Sequence, residues 1–171
     1  MKYIEAPNYE HLNSSYPSVF FAGSITGSKD WQKNLFERIK LCNGTVYNPR
    51  RENFDINDPN ESAEQISWEY VHLHQSDVII FYFSHETLAP ITLFELGAAL
   101  ERNLYGEKPQ RIFIYCEPEY RRKFDVEYQT EMILDTYVSM VRDRPKRNFV
   151  EYYSDYEEFV DKLIEFIVNK E

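Results

Sequence analysis

The chain has 171 residues, 43% of them hydrophobic and 16% aromatic, which is enough to bury one good core and too short to demand a second domain. A net charge of −10 argues against gripping a nucleic-acid polymer or an anionic membrane, since both need clustered Lys and Arg. Cys42 and Cys116 are too few and too far apart for a disulfide framework or a zinc site, and no signal peptide or apolar run of membrane-spanning length is evident, so a cytoplasmic protein with small-molecule partners is expected.

Residues 1–17 are polar with scattered aromatics and no clear period, and are expected to form an arm packed on the surface. Ser18 to Ala22 is a short apolar run ending in Gly23-Ser24-Ile25-Thr26-Gly27, the pattern of a buried strand feeding a tight loop before a helix. Ser28 can cap that helix, whose Trp31, Leu35 and Ile39 recur every four residues with Phe36 beside them. Gly44 ends it, and Thr45-Val46-Tyr47 reads as a brief second strand leading into Asn48-Pro49-Arg50-Arg51. Asp58, Pro59 and Glu61 then mark a helix start, as cap, first-turn proline and first-turn acid. Its apolar side is expected at Ile66, Tyr70 and Leu73, with Trp68 and Glu69 alongside. His72 and His74, two apart, would diverge on this helix and read as surface residues rather than metal ligands.

Val78 to Phe83 is a nearly unbroken run of β-branched and aromatic residues, as in a strand covered on both faces, and is expected at the centre of a parallel sheet. Asp77 before it reads as mainly structural. A polar loop from Ser84 to Ala89 follows, and Pro90 suits the first turn of the next helix. Leu93, Phe94, Gly97, Ala98 and Leu100 supply its apolar side, the small Gly97 and Ala98 letting the backbone lie close to the sheet. Glu95 sits early in this helix, just past a central strand, where open parallel sheets bind their ligands. Arg111 to Tyr115 reads as a further strand and Phe124 to Leu134 as a helix. The last strand is expected at Phe149–Tyr152 in preference to Tyr137–Val141. Ser154 and Glu157 make a capping box for a final helix striped by Tyr156, Phe159, Val160, Leu163 and Ile167.

Strands alternating with helices at these lengths imply βαβ units with right-handed crossovers. The expected fold is a flavodoxin-like or Rossmann-like three-layer α/β sandwich, one domain with about five parallel strands. The glycines of the first loop are four apart, unlike the dinucleotide fingerprint, and no Walker Lys follows, so no nucleotide cofactor and no metal is expected. Free backbone N–H groups near the helix start still suit a sugar hydroxyl or a single phosphate.

Five motifs in order carry a resemblance: Phe20-Phe21-Ala22-Gly23-Ser24-Ile25 with Trp31, Asn48-Pro49-Arg50-Arg51, Gln65-Ile66-Ser67-Trp68-Glu69, Ser76-Asp77, and Pro90-Ile91-Thr92-Leu93-Phe94-Glu95-Leu96-Gly97. Together they resemble the nucleoside 2-deoxyribosyltransferase family, particularly its divergent branch with an Asn-Pro-Arg-Arg motif. The resemblance implies a role in nucleotide salvage, in which a carboxylate attacks C1′ of a 2′-deoxyribonucleoside, the base leaves, and another free base takes up the glycosyl group. Matched by position, Glu95 would be the nucleophile and Glu69 the acid touching the leaving base. Such chemistry wants one ionised carboxylate and one group able to protonate the departing nitrogen.

Substrate contacts are expected from Phe21, Gly23, Ser24, Ile25, Asn48, Arg50, Arg51, Phe83, Glu86 and Thr87. Phe20 stands where typical members carry Tyr, and Ala89 where they carry Asp, leaving Glu86 and Thr87 as candidates to compensate. Trp31 and Trp68 read as core rather than as base-stacking platforms. The Arg pair and Ser24 leave open a hydrolase of 2′-deoxynucleoside 5′-monophosphates, and Phe20 and Ala89 a non-catalytic sensor of a nucleotide-derived ligand. An isolated site of this kind leaves its sugar pocket open to water, so a homodimer or larger homo-oligomer is expected, with Tyr and Phe at the interface.

Overall fold

Val78–Phe83 is buried along its whole length and hydrogen-bonded on both sides, as an all-apolar strand in a parallel sheet must be. The computed structural model describes residues 1–10, 15–105, 110–140 and 149–169. In chain order these form β1 (Lys2–Glu5), β2 (Ser18–Gly23), α1 (Trp31–Ile39), β3 (Thr45–Asn48), α2 (Pro59–Gln75), β4 (Val78–Phe83), α3 (Pro90–Tyr105), β5 (Arg111–Cys116), α4 (Lys123–Met140), β6 (Val150–Tyr153) and α5 (Tyr156–Val168). All pairings are parallel, in the order β1-β3-β2-β4-β5-β6. Without β1 this is the flavodoxin order, which reverses between β2 and β4. The last strand is the later of the two sequence candidates. Of the earlier one, residues 137–140 lie in α4 and Val141 lies outside the described residues.

Period-two alternation sends neighbouring side chains to opposite layers. Phe20, Ala22, Ile79 and Phe81 pack under α2, α3 and α4, while Val19, Phe21, Val78 and Ile80 pack under α1 and α5. Trp31 and Trp68 are both core residues, one in each layer.

Several local expectations are overturned. The N-terminal segment is not merely a surface arm, because Lys2–Glu5 extends the sheet beyond β3. Its pairing is a backbone property that no apolar period advertises. Asp30 rather than Ser28 caps α1, accepting from Lys33 N at 3.0 Å, and Ser28 Oγ instead donates to Ser24 O at 2.8 Å. Asp155 rather than Ser154 caps α5, although the predicted apolar stripe of that helix is the buried one. The buried side of α2 is Gln65, Trp68, His72 and Leu73, while Ile66 and Tyr70 face outward. His72 is therefore no surface histidine, and its ring lies 4.1 Å from that of Trp68. On α3 the sheet-facing residues are Thr92, Leu96, Ala99, Leu100 and Asn103, leaving Phe94 76% exposed. A Cβ on Gly97 would meet nothing within 4 Å, so close approach to the sheet is not what places a glycine there.

Gly23 is where the backbone does need a glycine. A Cβ there would lie 2.5 Å from Trp31 Cζ2 and 2.7 Å from Tyr82 O, inside the stack that Trp31 and Tyr82 make at 4.4 Å. Gly23→Ala should therefore force β2 and α1 apart and cost roughly 1–3 kcal/mol, the range for overpacking a filled interior. Urea denaturation checks this: an unchanged midpoint would show that the contact can relax freely.

Candidate active site

A cavity of about 530 Å³ opens beyond the carboxyl ends of β2 and β4, where the strand order reverses. Its floor is Phe20, Ala22 and Gly23 from β2, and its far wall is Thr87, Ala89 and the first turns of α3. Gln65 and Glu69 of α2 face Glu95 of α3 across it, and Phe54 and Ile56 close the outer side. The loop Ser24 to Thr26 is held as part of the wall because Trp31 Nε1 donates to Ser24 O at 2.9 Å.

Two carboxylic acids thus meet in a largely apolar hollow. Burial pushes the Glu95 carboxyl up to about 8, and the neighbouring charge of Glu69 adds to the shift. Burial also raises Glu69, opposed by Gln65, whose Nε2 donates to Glu69 Oε1 at 2.8 Å and to Pro49 O at 2.7 Å. With both N–H bonds of that amide engaged, Gln65 Oε1 is left buried without a protein partner, as is Ser24 Oγ. Burial and the neighbouring Glu69 charge thus favour the protonated form of Glu95 in the free protein.

Of the residues expected from sequence, Glu69, Glu95, Gly23, Ser24, Ile25 and Thr87 are brought together around this cavity. The others are not. Phe21 lies one position out of phase with Phe20, so its ring packs on Trp31 in the opposite layer, 5.6 Å between centroids. Phe83 is sealed in the core against Tyr120. Asn48 shapes the backbone after β3, its Oδ1 accepting from Arg50 N at 3.1 Å. The Arg50 guanidinium points away from the cavity and donates to Gln32 Oε1 at 3.0 Å and Lys29 O at 3.0 Å, with Asp30 at 3.6 Å. Arg51 pairs with Glu64 at 3.2 Å and Glu61 at 3.8 Å and covers the Phe54 ring. Glu86 accepts from Lys29 N at 2.7 Å, outside the lining.

Sequence reasoning passed over Phe20, Gln65, Phe54, Ile56, Ile91 and Thr92 as lining residues. Gln65 carried a readable signal, since it lies four residues before Glu69 and hence on the same helix face. Among the described residues no group of His, Cys, Asp and Glu could hold a metal ion, and no helix is long and apolar enough to cross a membrane.

A family model described as nucleoside 2-deoxyribosyltransferase like matches residues 16–120, more than half of the chain. The match spans every residue that lines the cavity. No curated protein matches the chain.

The raised Glu95 carboxyl has a consequence for stability. The folded protein keeps this proton up to about pH 8, whereas an unfolded chain releases it near the ordinary value of 4.5. Between those values the folded state binds more protons, so the contribution is greatest below pH 4.5 and is lost as pH rises through about 8. Glu95→Gln removes this penalty. Its thermal midpoint should exceed that of wild type by a margin that widens from pH 5 to pH 8 and then levels off; a constant margin would mean that Glu95 ionises normally.

Proposed function

Because the chain belongs to the nucleoside 2-deoxyribosyltransferase-like family, we propose that it cleaves the N-glycosidic bond of 2′-deoxyribonucleosides through a covalent glycosyl-Glu95 intermediate that a second free nucleobase takes up. The observation that carries this reading is the meeting of Glu69 and Glu95 in the lining of the switch-point cavity, where burial raises both carboxyls. As positive charge develops at C1′, the anionic form of Glu95 is favoured and the proton belongs on Glu69. Glu95 then bonds to C1′, the C1′–N electron pair leaves with the base, and Glu69 supplies the proton to that nitrogen. A nitrogen of the incoming base reverses each step, displacing Glu95 and returning a proton to Glu69.

The charge of the lining favours nucleosides over 5′-monophosphates. Among the described residues Glu69 and Glu95 are the only ionisable side chains around the cavity, and Arg50 and Arg51 are turned away and neutralised by Asp30, Glu61 and Glu64. Among the described lining residues a phosphate would meet acids and no cation. The orphaned Gln65 Oε1 and Ser24 Oγ offer acceptors to the hydroxyl and N–H donors of an uncharged ligand.

Glu95→Gln should abolish base release, because an amide cannot act as an anionic nucleophile. Glu69→Gln should slow it by on the order of 10²- to 10⁴-fold and flatten the fall in rate expected of wild type as pH rises through about 8, where Glu95 gives up its proton. Chromatography of each deoxynucleoside and 5′-monophosphate, with and without a second base, decides the matter. Faster turnover of monophosphates would favour the hydrolase, and tight binding without release would favour a sensor.

The outer wall also bears on assembly. Ile56, Ile66 and Ile91 line the cavity yet are 68%, 65% and 67% exposed, an apolar rim that water would otherwise cover. We expect a homo-oligomer in the cytoplasm, with Phe94 and Tyr70 extending the contact beside Ile91 and Ile66. Light scattering showing a monomer at working concentration would remove this part of the reading.

A further inference from the structure

The geometry points to Glu117 as a positioning residue that fixes the loop Ser84 to Ala89, and through it the first turns of α3, for reaction at Glu95. This rests on Glu95 being the nucleophile. Glu117 is the first residue past β5, and its carboxylate gathers donors from the end of the neighbouring strand and the loop that follows. Oε1 accepts from Tyr82 OH at 2.8 Å, and Oε2 accepts from His85 N at 2.8 Å and Ser84 Oγ at 3.2 Å. The Nδ1 of His85 contacts Oε2 as well. The backbone of Glu117 donates to Phe83 O at 3.0 Å, and Tyr120 OH reaches Leu88 O at 2.9 Å, so one short segment fastens the loop at both ends.

The carboxylate is 20% exposed, and burial alone would raise its pKa. The bonds from His85 N, Tyr82 OH and the His85 ring outweigh burial and hold it below the ordinary value, so it is ionised and binds its donors as an anion. The loop needs such a hold. Ala89 has φ +46°, a left-handed backbone that a side chain adopts only when its surroundings dictate it. Thr87 Oγ1 accepts from Ala89 N at 3.1 Å, and Ala89 O accepts from Leu93 N at 3.1 Å, so the strained residue joins the clamped loop to the helix that carries Glu95. Thr87 and Ala89 also line the cavity. A small rotation at Ala89 would swing Glu95 relative to C1′, and misplacement by about 1 Å can cost on the order of 10²-fold in rate.

The test compares Glu117→Gln with Tyr82→Phe, which removes a donor to the same carboxylate that lies on the strand and not in the loop. Glu117→Gln should lower kcat for base release by roughly 10- to 100-fold with KM within about twofold, and should speed amide hydrogen exchange at residues 85–89. Tyr82→Phe, which leaves every loop donor in place, should change both clearly less. Ser84→Ala, which removes one loop donor and spares the carboxylate, should give a smaller loss of the same kind and serves if Glu117→Gln does not fold. Should base be released while Glu117→Gln leaves kcat or loop exchange at wild-type values, or should Tyr82→Phe match it, the positioning role is overturned alone. If wild type releases no base, the reading of Glu95 fails and the positioning role goes with it.

Discussion

The parallel pairing of β2 with β4 is the contact on which the rest of this structure depends. Its register is pinned at the amino ends, where Asp77 Oδ2 accepts from Ser18 N at 2.8 Å and Ser18 Oγ at 2.7 Å, and Asp77 N donates back to Ser18 Oγ at 3.0 Å. At the carboxyl ends the chain leaves in opposite directions, β2 toward α1 in one layer and β4 toward α3 in the other. The two departures cannot fill the space between them, so a crevice is a topological outcome rather than a packing fault. A shift of one residue in this register would carry Phe20 out of the cavity floor and Phe21 into it.

What lines that crevice works against stability. Apolar walls raise the free energy of ionising Glu69 and Glu95, a cost that the folded state carries. Arg50 and Arg51, the nearby cations among the described residues, are committed elsewhere. Arg50 ties the end of β3 to the start of α1, and Arg51 fastens the Phe54 loop to α2. Both arginines shape the outer wall without bringing positive charge to it. The Asn-Pro-Arg-Arg segment is therefore architectural in its contacts, even though a pair of arginines after a strand first suggests an anion.

The polar network around Glu117 complements this arrangement from the other side of β4. Four donors converge on one carboxylate, and each lies on β4 or the loop leading to α3. The apolar site is thus edged by a rigid polar joint, a division that lets α3 be held firmly while its carboxylate remains poorly solvated.

The sequence by itself determined the parallel three-layer architecture, because an unbroken run such as Val78–Phe83 leaves no solvent face and the helical stripe of α5 leaves one apolar side. It also singled out Glu69 and Glu95, the two acids that meet in the cavity. Only the tertiary structure decided which way side chains turn. Ile66 and Tyr70 look like the core of α2, yet Trp68 and His72 take that place, because helix rotation is set by the partners across the interface and not by the helix's own period. The same holds for α3, where Phe94 is outside and Ala99 inside. The two arginines and Phe21 turn away from the cavity for a related reason. A charge finds its partner, and a strand residue its layer, through contacts far apart in the chain, from Arg50 to Gln32 and from Phe21 to Trp31, and sequence spacing does not encode such distances.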